Sequence, residues 1–418
     1  MINKFLYPFG GVESVMFAEK ELLEARGHRV VLFGMQHPDN VSSPWSEYFV
    51  SRVDYADRSI RSRLRSAARA LYSVEARRKL RRLLSAVRPD VAHVHHIYHQ
   101  ITPSVLFELH AAGIPTVQTI HDYKPICPNA KLFIPRTGEL CFRCKGGRFY
   151  QAALNNCGTY GRASSVMIAL EAYFNRLTRI YLRAVQRFLT PSAFLRDRLV
   201  EEGMPADRVE VLPNFVELRR DARDDIPVDQ PPVALFVGRL ERYKGIHLVL
   251  AAAQHLSETQ FVLIGTGSEE AALRQQAQSL PNVRVLGRQP RHAVREWMRR
   301  ALCLLVPSLW HDVAPQVVLE AFAAGLPVIA TSLGGLPDLV QPGVNGLLLE
   351  APTADSLVAG VHALISNPAL RHHLSIGARR TAQARFTSQH HYQGLMRAYA
   401  QARQACAQSP RSFCSSRR

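Results

Sequence analysis

Two cations follow an apolar run in "VALFVGRLERYKGIHLVLAAA": Arg239 directly after Gly238, and Lys244 five residues later, just before Gly245. The run reads as a buried strand over Val233–Val237, and Gly238 lets the backbone turn tightly against a ligand. An arginine fork and a lysine point charge at a strand end suit a diphosphate, although a plain charged surface loop uses the same residues. A second strand–glycine–helix turn, "FVLIGTGSEEAALRQQA", carries Gly265 and Gly267 but has Glu270 where a dinucleotide fingerprint needs its third glycine, which disfavours a nicotinamide enzyme. In "WHDVAPQVVLEAFAAGLPVIA" a helix starts at Ala314 or Pro315 and ends at Gly325. Its first free N–H groups can hold an anion, with Asp312 beside them. Glu320 sits mid-helix among Val317, Val318, Leu319, Ala321 and Phe322, and a carboxylate buried there is costly unless paired. The plainer alternative is a capped helix with a structural glutamate.

A second cluster is "HDYKPICPNAKLFIPRTGELCFRCKGGRFYQAALNNC". His121 and Asp122 follow the apolar stretch Thr116–Thr119, an active-site position if that stretch is a strand of a parallel sheet. Cys127, Cys141, Cys144 and Cys157 are spaced x13, x2 and x12, and they are four of the seven cysteines. A C-x-x-C pair flanked by two further cysteines has the spacing of zinc ligands. In a reducing compartment disulfides are disfavoured, so a structural Zn site is the coherent reading, with an iron–sulfur cluster second. Cys303 reads as a core thiol, and Cys406 and Cys414 carry no assignment. "VAHVHHIYHQ" places His93, His95, His96 and His99 around a strand end; alternation sends His93 and His95 to one face and His96 to the other, against a metal trio.

The elements that must position these residues alternate: short apolar strand, loop, amphipathic helix. Strands are expected at Val30–Phe33, Val91–Val94, Thr116–Thr119 and Val209–Leu212, then at Val233–Val237, Gln260–Ile264, Val283–Leu286, Cys303–Val306 and Val328–Ala330. Such alternation implies parallel sheets with crossovers. "ELRRDARDDIPVDQPP" breaks the pattern and reads as a linker. The expected organisation is therefore residues 1–216 with a cysteine-rich insert at about 121–160, a linker at 217–232, a second domain at 233–385, a C-terminal helix at 386–400 returning to the first domain, and a disordered tail at 401–418. The 418 residues suit two domains, and 47% hydrophobic residues suffice for two cores. No run reaches the roughly 18 apolar residues of a spanning helix, and the N-terminus lacks a secretory signal, so a cytoplasmic protein is expected. The formal charge of +18, from 52 Lys+Arg against 34 Asp+Glu, favours an anionic partner. Much of it falls between Arg58 and Arg88, where apolar residues recur at helical spacing, either as a solvated helix face or as a contact with anionic lipid headgroups. Nucleic acid is not expected, because no recognition motif or stacking platform accompanies the charge.

In order along the chain, "FVGRLERYKG", "LIGTGSE", "VPSLWHDVAPQVVLEAFAAGLPVIATSLGGLPDLV" and "GVNGLLL" resemble the C-terminal half of glycosyltransferase family 4, retaining enzymes of the GT-B fold. "YPFGGVES" is similar to the family's glycine loop after its first strand, and "VLPNFVE" to the end of its N-terminal domain. The likeness covers about residues 1–390. It implies an α/β protein with two Rossmann-like doubly wound domains facing across a cleft, the nucleotide sugar lying mainly on the second. By the same resemblance Arg239 and Lys244 bind the donor diphosphate, Gly238 and Pro315 adjoin it, and Gly10 and Gly11 let their loop approach the donor phosphates or the acceptor. Glu320 holds the ribose, and His121 faces the donor sugar at the reacting centre. Asp312 stands where the family usually has a glutamate next to that sugar, and Asp338 where glutamate is common; the shorter side chain at 312 bears on donor choice and activity. His95, His96 and His99 are expected to line the acceptor side. A branch of the family with "HDYK…C…CxxC…C" is similar at all four cysteines. The resemblance thus implies transfer from a UDP-, GDP- or ADP-linked sugar to a saccharide acceptor, and the basic amphipathic stretch suggests a membrane-bound, lipid-linked saccharide, as in surface polysaccharide assembly at the inner face of the cytoplasmic membrane. No catalytic metal or cofactor is expected. A nucleotide-sugar-binding protein with weak turnover is the alternative.

Overall fold

Runs such as VALFV, FVLI and CLLV are apolar at every position, the pattern of strands covered on both faces. In the computed structural model, which describes residues 1–52, 69, 71–218 and 229–408, these runs are the strands of parallel sheets. The chain divides into two compact units: Met1–Leu212 together with the chain from Tyr392 onward, and Pro213–His391.

The first unit contains β1 (Ala92–Val94), β2 (Thr116–Thr119), the short hairpin β3 (Phe133–Ile134) and β4 (Glu139–Leu140), then β5 (Arg187–Thr190) and β6 (Val209–Val211). Its sheet runs β1-β2-β5-β6, all parallel. Ile2 extends it beyond β1 by bridging both Val94 and Phe33, and Met35 bridges Val50 in turn. The first segment of the chain is thus central, and later segments add outward in both directions. Segment order reverses between Ile2 and β1, the position at which α/β sheets bind ligands. The loop that carries Gly10 and Gly11 and the loop that carries His95 and His96 both leave from there.

The second unit contains β7 (Val233–Val237), β8 (Gln260–Ile264), β9 (Val283–Gly287), β10 (Cys303–Val306), β11 (Val328–Thr331) and β12 (Gly346–Leu349), in the parallel order β12-β11-β10-β7-β8-β9. Alternation assigns Leu235, Val262, Leu304 and Val328 to the core under one face, and Ala234, Phe261, Cys303 and Ile329 to the core under the other. Cys303 is fully buried, which pushes its thiol up to about 12. The reversal falls between β7 and β10, so the loops after these two strands flank the expected ligand crevice.

Several expectations need correction. Val30–Phe33 forms no regular strand: Phe33 alone bridges Ile2, and the Val31 carbonyl accepts from the N-terminal amine. Ile2, β5, β12 and the β3–β4 hairpin were not foreseen, because a lone bridging residue and short half-polar strands carry little periodicity. The tail expected to be disordered from 401 is helical to Gln408, in a helix from Ser388. It packs Leu395, Ala398 and Ala402 on Val117, Leu189 and Leu212 of the first unit. Its alanine- and glutamine-rich sequence favours helix without a wide apolar stripe to advertise it; residues 409–418 lie outside the described residues.

Of the basic segment, Val74–Ala86 is an amphipathic helix capped by Ser73, with Ala76, Leu80 and Leu83 buried. Residues 53–68 and 70 lie outside the described residues. Arg77 and Arg81 both pair with Glu108, at 2.9 and 2.7 Å, so neither is an uncommitted cation. Among the described residues no helix is long and apolar enough to cross a membrane.

Candidate active site

At the end of β7, Gly238 donates to the Ile264 carbonyl at 2.9 Å, holding the turns after β7 and β8 together. Arg239 then stands exposed, with its guanidinium 5.4 Å from the Tyr243 ring centre. The turn Arg242–Lys244 closes at Gly245 in the left-handed region, φ 72°, and the helix Ile246–His255 begins. Lys244 Nζ lies 2.6 Å from Asp312 Oδ1 and 5.2 Å from the centre of the Trp310 ring. Ser308 Oγ donates to Asp312 Oδ2. The Asp312 side chain is 6% exposed and that of Lys244 17%. The expected site residues at the switch point are therefore brought together, but in a specific pairing. Both oxygens of Asp312, expected beside a sugar, are engaged by Lys244 and Ser308.

Pro315 caps the helix Gln316–Ala324, and Gly325, φ 74°, ends it. The proline thus sits one residue outside the first turn, leaving the free N–H groups of that turn on the chain that follows Asp312. Glu320 is half-buried. Burial raises its carboxyl above the ordinary value, and Arg291 and Arg295 of the neighbouring helix oppose that. Its surroundings are thus less apolar than its own helix suggested. Asp338 lies in the short helix Leu336–Leu339. Ser308, Tyr243 and Trp310 were missed by sequence reasoning. The spacing of Ser308 four residues before Asp312 was the available signal.

In the first unit Gly11 opens the helix Gly11–Glu24 after extended Gly10. About two turns on from it, Glu19 is buried, and its Oε2 lies 3.4 Å from His95 Nε2 and 3.7 Å from His93 Nδ1. His95 Nδ1 in turn meets His121 Nε2 at 3.0 Å. His95 is 0% exposed, so it is not a lining residue on the acceptor side. The correction follows from its place directly after β1, where its ring turns inward behind His121. His121 is itself half-buried, His96 pairs with Asp122 at 3.2 Å, and His99 is 43% exposed. Glu19, His93 and His95 are, among the described residues, the one set of three potential metal ligands with all donor atoms within 4.8 Å. Both ring nitrogens of His93 are already engaged, by Tyr399 at 2.8 Å and Thr119 at 2.7 Å, so His93 is committed to hydrogen bonds outside the trio.

Burial, with His93 and His121 beside it, holds His95 well below the ordinary imidazole value. The unfolded chain takes up a proton here below pH ~6.5 and the folded chain does not. Stability is therefore full above that pH and falls as pH drops, by about 1.4 kcal/mol per unit. Urea unfolding of wild type and His95→Gln at pH 7.5, 6.5 and 5.5 checks this: the variant is expected to lose that much of the acid slope, and parallel slopes would contradict it.

Cys127, Cys141, Cys144 and Cys157 line one cavity of about 270 Å³. Burial and the other three thiols push Cys144 up to about 12, and burial with Cys127 and Cys141 pushes Cys157 to about 11. The four sulfurs face one space without closing to the 4.8 Å spacing of the Glu19 set. As a donor set, four soft thiols in one pocket fit zinc chemistry.

Two doubly wound parallel sheets, with cations and glycine turns at the switch point of the second, define an α/β protein of GT-B type, and known proteins agree. Residues 9–220 match the profile of Glycosyltransferase Family 4 and residues 219–381 that of Glycosyl transferases group 1. A D-inositol 3-phosphate glycosyltransferase of Xylanimonas cellulosilytica is 32% identical over 225 residues, 48% of this chain and 53% of that one. An amylovoran biosynthesis glycosyltransferase of Erwinia amylovora is 28% identical over 194 residues, 43% and 47% of the two chains. The crystal structure of Anabaena HepE in complex with UDP superposes with a TM-score of 0.64 over 96% of this chain and 98% of that one, at 16% identity. The chain belongs to Glycosyltransferase Family 4. It spans about half the length of the curated relatives it matches.

Proposed function

We propose that the protein is a retaining glycosyltransferase that moves a sugar from a nucleoside-diphosphate donor to a saccharide or lipid-linked saccharide during cell-surface polysaccharide assembly. The observation that carries this is the buried Lys244–Asp312 pair beside exposed Arg239 at the β7/β10 switch point. Lys244 has three N–H donors, and Asp312 occupies one direction, leaving the others for diphosphate oxygens. Asp312 thereby acts as a positioning residue for the ammonium. Arg239 and the start of the helix at Gln316 add positive charge where the leaving diphosphate develops its own. These cations take the place that a divalent ion has in other transferases.

The same pairing supports retention. Double displacement needs a carboxylate nucleophile. Asp312 is held by Lys244 and Ser308, and Glu320, more than a turn into its helix, takes the ribose hydroxyls. The acceptor hydroxyl then attacks the face from which the diphosphate leaves, and its proton passes to the departing phosphate oxygen. In the first unit we assign His121 to the reacting sugar, with His95 behind it: His95 Nδ1 meets His121 Nε2 at 3.0 Å, and Glu19 Oε2 lies 3.4 Å from His95 Nε2. The amylovoran relative supports polysaccharide assembly, and the HepE complex supports UDP as the donor base.

Calorimetric titration with UDP, GDP and ADP tests the donor assignment. One of them is expected to bind, and Arg239→Ala to weaken it about tenfold or more at unchanged Tm, since an exposed charge-assisted contact carries about 1.5–3 kcal/mol. Equal affinity in the variant would remove the diphosphate from this turn. We also assign Cys127, Cys141, Cys144 and Cys157 to a structural zinc ion that would cross-brace the insert. Metal analysis of the purified chain is expected to give about one zinc per molecule, lost in Cys144→Ser together with several degrees of Tm. A metal-free protein of full stability would end that assignment.

A further inference from the structure

Thirteen large apolar residues are exposed among the described residues, and eight of them fall between 140 and 177. Six of these are Tyr150 at 49%, Leu154 at 73%, Tyr160 at 82%, Val166 at 45%, Leu170 at 48% and Leu177 at 81%. The last three lie on the helix Arg162–Thr178 at steps of four and seven, within about 40° of one another around its axis. An adjoining side of that helix is fixed: Ala169, about 80° around the axis from the stripe, packs with Phe149, Ala152, Cys144 and Cys157 in a small core. The outward stripe is therefore held rigidly toward solvent by the cysteine-rich insert. Exposed apolar side chains held along one stripe of a packed helix point to an interaction site.

Its charge identifies the partner. From 136 to 179 there are seven Lys and Arg residues, all exposed, among them Arg148, Arg162, Arg176 and Arg179. The two carboxylates do little to offset them. Glu171 is buried 2.8 Å from Lys124, and Glu139 sits at the hairpin tip 3.7 Å from Arg143. An apolar stripe with flanking arginines and two exposed tyrosines is the composition of a helix lying in a membrane interface: the aliphatic side chains enter the acyl boundary, and tyrosines and arginines stay at headgroup level.

We propose that the helix Arg162–Thr178, with Tyr150, Leu154 and Tyr160, docks the protein on an anionic bilayer surface. This moves the membrane contact away from the basic helix Val74–Ala86, where Arg77 and Arg81 are both committed to Glu108. It deepens the reading of a lipid-linked acceptor and rests on it only for its purpose. Docking needs neither donor nor turnover, so either idea can fail alone.

The test is flotation of the full chain with equimolar phosphatidylglycerol–phosphatidylcholine vesicles and with phosphatidylcholine vesicles, at low and high salt. Wild type is expected to bind the anionic vesicles, less so at high salt. Leu170→Glu combined with Leu177→Glu is expected to lower that binding tenfold or more at unchanged Tm, since both positions are exposed. Arg78→Glu with Arg82→Glu, on the helix Val74–Ala86, is expected to leave it close to wild type. Absence of wild-type binding, or equal binding by the Leu170/Leu177 variant, overturns the proposal. So does a dimer in solution that the Leu170/Leu177 variant splits while vesicle binding persists, which would make a second copy of the chain the occupant of this face.

Discussion

Lys244→Ala is expected to lower turnover about a thousandfold and to destabilise the protein by about 3 kcal/mol. Removing one preorganised donor from a site of developing negative charge costs a factor of about 100 to 1,000, and Lys244 is a full charge rather than a dipole. The stability cost has a separate origin. Asp312 would keep Ser308 but lose its counter-charge while remaining buried, and breaking a buried pair costs about 3–5 kcal/mol. The 17% exposure of Lys244 places the value at the lower end. Asp312→Asn separates the two effects: the charge it leaves unpaired is the Lys244 ammonium, which is more exposed than the carboxylate, so stability should fall less while turnover still drops. Urea unfolding and steady-state turnover measure both. A Lys244→Ala protein within twofold of wild-type turnover would show that the ammonium does not meet the leaving group.

The second large effect is expected from Gly245→Ala. This residue has φ 72°, and a Cβ built on it would lie 1.8 Å from the Pro307 carbonyl oxygen. Backbone strain alone costs about 1–2 kcal/mol for a residue with a side chain. The contact cannot be relieved by a rotamer change because the obstacle is main chain. The loop after β10 must move, and it carries Ser308 and Asp312. A total of about 3 kcal/mol or more is expected, a Tm drop of roughly 6–12 °C for a unit of this size. Gly343→Ala is the control: φ is 73° but nothing lies within 4 Å, so only the strain should appear. Equal Tm changes at 245 and 343 would show that the close approach to Pro307 has no energetic weight.

What the sequence disclosed follows a physical divide. β7, β8, β10 and β11 are buried on both faces, so their near-continuous apolar runs announce themselves at the right positions. Ile2 contributes a single bridging residue at the centre of the first sheet, and no window of periodicity can find one residue. β12 follows "QPGVN", which reads as loop. The glycines and cations of the site were legible because each lies at the junction of two elements. Their partners were not. Lys244 and Asp312 are 68 residues apart, and Glu19 and His95 come from different elements; such pairs are fixed by packing and leave no local trace. Asp312 is the instructive case. Its position named it as a candidate site residue, but only the structure shows both oxygens taken by Lys244 and Ser308, which makes it a support for the Lys244 ammonium.

The central claim is that this chain transfers a sugar from a nucleotide donor held at the β7/β10 switch point. It is tested most directly by nucleoside diphosphate release from a panel of UDP-, GDP- and ADP-sugars, with wild type beside Glu320→Ala and Lys244→Ala and with calorimetric binding of the same panel. Release from one donor, slow without acceptor and lost in both variants, is the predicted result. No release and no binding across the panel would contradict the claim.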